Sequence, residues 1–95
     1  MAEGGGGFRG KSMKAVAMDV AEAFVSVNPL FLKKFDKDML KELFETINKA
    51  MTLTRNEKLL PNDPVGLRMR NMKLQRLHTA LIVIRNTARE KRIPL

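Results

Sequence analysis

The chain has 95 residues, a formal net charge of +8 from 18 Lys/Arg against 10 Asp/Glu, a hydrophobic fraction of 44% and no cysteine. That length makes one domain, near the small end of what folds alone, and that apolar content argues against a wholly disordered chain; an oligomer or a bound partner would reinforce so small a core. Without cysteine there is no disulfide, thiolate metal site or cysteine nucleophile, and no apolar run approaches the roughly 18 residues of a transmembrane segment.

The charge is unevenly placed. Residues 67–95 hold eight basic side chains against the single acid Glu90, while the first 66 residues hold ten basic and nine acidic ones. The front of the chain is therefore close to neutral and the back strongly cationic, which speaks of polyanionic partners rather than of a reaction. The N-terminus is Gly-rich and lacks the charged-then-apolar order of a signal peptide, so a cytoplasmic (intracellular) protein is the default expectation.

Residues 1–11 read as a flexible Gly-rich tail, with residues 12–95 as a single helical domain. Gly5 to Ser12 matches the G-x-x-x-x-G-K-S phosphate-binding string literally. That chemistry needs a strand before the loop and a second acidic strand for the metal; neither is present, so the string reads as tail composition. Ser12 is placed to cap a first helix, in which Met13, Val16, Ala17, Val20, Phe24 and Val27 recur at helical spacing. Asn28-Pro29 ends this helix and starts a short one over Pro29–Lys34, with Leu30 and Phe31 or Phe35 turned inward.

Asp36 or Asp38 caps the next helix, expected from about residue 37 to about 53, with Leu40, Leu43, Phe44, Ile47, Ala50 and Met51 as its apolar stripe. Phe35-Asp36-Lys37-Asp38 resembles the opening of a calcium loop. However, Lys41 stands where the loop requires Gly and Ile47 where it requires Glu, so helix capping explains these acids better. Residues 54–66 read as a loop punctuated by Pro61, Asp63-Pro64 and Gly66, and tied to the core by Leu59, Leu60 and Val65.

The last helix is expected from about Leu67 to about Arg92. Leu67, Leu74, Leu81 and Ala88 lie seven apart, Leu77 and Ile84 fill the other heptad position, and Ala80–Ile84 is apolar all round. His78, the only histidine, sits beside this stripe and reads as a partly buried structural residue. Arg70 falls within the stripe; it either pairs with an acid from another helix, with Glu22, Glu42 and Glu45 as candidates, or marks where packing ends. There is no strand signal and no internal repeat. The fold expected is an all-α bundle of three main helices plus one short connecting helix, with the long C-terminal helix as spine.

No catalytic constellation, cofactor signature or metal-ligand spacing appears, so the chain does not read as an enzyme. The candidate binding residues are the cations of the last helix. Arg85, Arg89 and Arg92 flank the stripe on one side, Lys73, Arg76 and Lys91 on the other, and Arg68 stands apart. Arg outnumbers Lys six to two here, which suits bidentate contact with phosphate. Few aromatics are available for base stacking, and no helix-turn-helix pattern is present. The reading is a non-catalytic module that engages DNA or RNA electrostatically. The alternative is a protein–protein adaptor or homo-oligomeric subunit whose basic helix meets an acidic partner. Peripheral attachment of the basic amphipathic segment to a membrane is a third, weaker fit.

Overall fold

The computed structural model describes residues 7–8 and 11–95, with side chains from Ser12 onward. Most of the expected tail over residues 1–11 therefore lies outside the described residues. Within it, Gly7–Phe8 (β1) pairs antiparallel with Lys11–Ser12 (β2), in a register of Gly7 with Ser12 and Phe8 with Lys11. The sequence carries no signal for this two-residue pair.

Four helices follow among the described residues: α1 (Met13–Ala21), α2 (Pro29–Leu32), α3 (Lys37–Arg55) and α4 (Pro64–Glu90). The all-α bundle with a long C-terminal helix is the observed architecture. Each helix starts on a side-chain cap that accepts a backbone N–H three residues on. Ser12 Oγ takes Ala15 N–H at 3.1 Å, Asn28 Oδ1 takes Phe31 N–H at 2.8 Å, Asp36 Oδ1 takes Met39 N–H at 2.8 Å and Asp63 Oδ1 takes Gly66 N–H at 2.9 Å. Such caps satisfy N–H groups that the helix itself leaves orphaned.

The core gathers Met13, Val16, Ala17 and Val20 of α1, then Leu32 and Phe35, then Leu40, Leu43 and Ile47 of α3, and Leu77, Ala80, Leu81, Ile84 and Ala88 of α4. Phe44, Ala50 and Met51 are packed against its edge. Helix α4 packs on all three other helices. It runs antiparallel to α3: Arg85, late in α4, lies over Phe44, early in α3, whereas Arg70, early in α4, reaches the carbonyl of Glu57 just past α3. At 27 residues α4 is about 40 Å long, close to the 44 Å longest dimension of the molecule.

Several boundaries and burials differ from expectation. Helix α1 does not run on to Asn28. It stops at Ala21, where Phe24 N–H bonds to Asp19 O at 2.8 Å, Ala23 N–H bonds to Val20 O at 3.1 Å, and Ala23 takes φ 68°. This is a Schellman close with alanine where glycine is usual. The chain then turns away, and Phe24, expected in the core, is 78% exposed. In α2 the inward residue is Leu32 rather than Leu30, which is 76% exposed; the helix is a single turn, shorter than Pro29–Lys34.

The expected 54–66 loop is trimmed at both ends, because α3 continues to Arg55 and α4 begins at Pro64. Asp63 caps α4 and Pro64 stands in its first turn, where a missing N–H costs nothing. A Cβ at Gly66 would run into the capping carboxylate of Asp63, which accounts for glycine there. Leu60 and Val65 are exposed and do not tie this segment to the core; Leu59 is half-buried. His78 is exposed, not partly buried.

Candidate nucleic-acid interface

No acidic residue occurs between Asp63 and Glu90, so the whole of α4 up to its last residue is cationic or neutral. The fold divides its cations into two sets. Lys73 and Arg76, both half-buried, are turned toward the end of α1. Lys73 Nζ lies 3.4 Å from Glu22 Oε2, and an Arg76 guanidinium N–H donates to the backbone oxygen of Ala21 at 2.8 Å. That oxygen belongs to the last turn of α1, where carbonyls have no partner within the helix. These two side chains thus tie α1 to α4.

Arg85, Arg89, Lys91 and Arg92 are exposed at the other end of α4, and no ion pair among the described residues engages them. Arg85 is positioned by its contact with α3, with the guanidinium carbon 5.8 Å from the centroid of the Phe44 ring, a cation–π arrangement. Arg92 is placed by the close of α4. Ile93 N–H bonds to Ala88 O at 2.8 Å, Arg92 N–H bonds to Arg89 O at 3.1 Å, and Arg92 takes φ 59°. Here the Schellman motif is completed by Ile93 packing against the core, so the last cations are held to the bundle.

Because α3 and α4 are antiparallel, the start of α3 lies at the same end as these residues. Lys33 and Lys34, which follow α2, and Lys37 and Lys41 of α3 thereby join the cationic end; α2 itself packs on α4. Lys41, Phe44 and Glu45 line a small hollow with Leu95. Lys41 sits on the outer face of an ordinary amphipathic helix, and only the helix direction marks it as part of this set. Asp36, Asp38, Glu45 and Glu90 dilute the patch without balancing it.

Arg68 is exposed near the start of α4, at the far end from this cluster. Among the described residues Arg70 meets no acid; it donates to the backbone oxygen of Glu57 at 3.4 Å, and its Nε is buried with no partner among them. Of the seven candidate cations, the fold thus brings four together and sets Lys73, Arg76 and Arg68 elsewhere.

No protein-family model, curated protein or solved structure matches this chain. The chemistry open to the surface is therefore read from its own groups. Among the described residues no cluster of three or more His, Asp or Glu converges as a metal site, and no helix is long and apolar enough to cross a membrane. Of Gly5–Ser12, the string with phosphate-loop spacing, half lies outside the described residues. At its end, Ser12 Oγ is occupied in capping α1.

Proposed function

We infer that the protein is a non-catalytic binding module that engages nucleic acid electrostatically through the C-terminal end of α4. The observation that carries this reading is the exposed group Arg85, Arg89, Lys91 and Arg92, held on a closed helix end and free of intramolecular ion pairs among the described residues. Guanidinium groups fixed by a fold are suited to phosphate oxygens, and an array of this kind reads backbone rather than base sequence. Release of counterions then supplies the affinity and makes it salt-dependent.

The test is a fluorescence-anisotropy titration with duplex DNA and with RNA at several salt concentrations. If four to six cations contact phosphates, affinity falls by roughly one to two orders of magnitude or more between low and physiological salt. Changing Arg85, Arg89 and Arg92 together to Ala should flatten the slope of log K against log salt by roughly 2–3, near 0.9 per lost contact. Absence of binding at low salt removes the reading.

A protein-binding role has its own support, because the opposite half of α4 exposes an apolar stripe that phosphate contact does not use.

A further inference from the structure

The first half of α4 is built as if something should cover it. From Pro64 to Arg76 no side chain is fully buried, although the helix is regular throughout. Val65, Met69 and Met72 follow one another at i, i+4 and i+7 on one face and are 67%, 52% and 44% exposed. The cause is the early close of α1. It ends beside Lys73 and Arg76, so among the described residues α1 does not extend over the preceding turns of α4.

The stripe leads into a groove of about 450 Å³ between α4 and the chain connecting α1 to α2, with an apolar side formed by Val25, Val27 and Met72 and a polar side formed by Gln75, Arg76 and Thr79. From Val65 to Ala80 the track is about 22 Å long, the length of a four-turn helix.

We propose that this track is a docking site for an acidic amphipathic helix of a partner protein. The apolar part follows from the stripe and groove: methionines and small aliphatics on a concave surface accept one face of a helix. The charge follows from the surroundings: Arg68 is exposed on this half of α4, Arg76 lines the groove and keeps its charge while bonded to the neutral Ala21 oxygen, the nearby acid Glu22 is paired with Lys73, and α4 offers no acid before Glu90. A second copy of the chain fits poorly, because two-fold pairing of this face would set arginine against arginine. A phosphate backbone gains nothing from exposed methionines, and a flat anionic bilayer does not enter a groove. This surface is separate from the Arg85–Arg92 end, and the proposal stands without the nucleic-acid reading.

The probe is a fluorescent synthetic helix of about four turns, with leucines at i, i+4, i+7 and i+11 spacing and glutamates elsewhere. It should bind with saturable anisotropy, at least about tenfold more tightly than a scrambled peptide of the same composition. Met69→Glu with Met72→Glu should weaken it at least about tenfold while the melting temperature stays near that of the parent, since both side chains are exposed. Arg85→Ala with Arg89→Ala should leave it unchanged. Amide shifts in the NMR spectrum should fall on Ala23, Val25, Val27, Met72 and Thr79. No binding, equal binding of the scrambled peptide, or insensitivity to the methionine pair would overturn the proposal. So would binding to phosphatidylserine vesicles that the peptide does not compete away.

Discussion

Ala23 is the residue on which the shape of the N-terminal half turns. Its φ of 68° is a conformation that strains an L side chain by roughly 1–2 kcal/mol, yet both hydrogen bonds that end α1 require it. Glycine would adopt it freely, offset in part by the greater freedom glycine has when unfolded. Ala23→Gly is therefore expected to stabilise the protein by about 0.5–1 kcal/mol. The urea midpoint should rise with an unchanged m-value; a fall would mean that α1 closes some other way. The same residue explains why the end of α1 is hard to see in the sequence. A glycine at position 23 would have announced the stop. With alanine there, the apolar spacing runs on through Phe24 and Val27, and periodicity alone places Phe24 inside.

At the scale of elements, α4 is two helices in energetic terms. Its second half carries Leu77, Leu81, Ile84 and Ala88 in the core, and its first half carries none. Leu81→Ala should cost about 2–5 kcal/mol, through lost transfer energy and an unfilled cavity. Leu67→Ala, one step back in register from Leu74, should cost no more than about 1 kcal/mol because Leu67 is 44% exposed and outside the core. Thermal melts of the two variants would separate them, and equal losses would contradict this division.

The heptad spacing of Leu67, Leu74, Leu81 and Ala88 was legible and identified the spine. Which heptads have neighbours was not legible, because that depends on where α1 stops. The starts of the helices follow one grammar, an Asx or Ser cap with or without a following proline; it reads correctly at Ser12 and Asn28, and at α3 it leaves Asp36 or Asp38, of which Asp36 is the cap. Asp63-Pro64 obeys the same grammar, but Pro61 and Gly66 on either side make it look like loop punctuation. The helix consequently begins three residues before Leu67.

Across the whole molecule, the fold sorts like charges into different jobs, and spacing on a helical wheel does not reveal the sorting. Lys73 and Arg76 project beside the apolar stripe much as Arg85 and Arg89 do. They differ because the cut-off end of α1 presents Glu22 and a free carbonyl to the first pair only. This gives opposite expectations for two sets of variants. Arg76→Ala removes a charge-assisted bond to the last turn of α1 from a half-buried side chain and should lower stability by about 1–2 kcal/mol. Its affinity for duplex DNA, measured on the folded protein at fixed salt, should stay close to that of the parent. The Arg85, Arg89 and Arg92 triple change to Ala should do the reverse. These side chains are exposed, and among the described residues the packing at stake is that of Arg85 on Phe44, at most about 1 kcal/mol at such a site, so the melting temperature should move little while binding and its salt slope fall. Paired melting and anisotropy curves for the two variants test the sorting directly. If Arg76→Ala weakened binding as much as the triple change, the tie to α1 would not be what holds Arg76, and the interface would extend along the whole of α4.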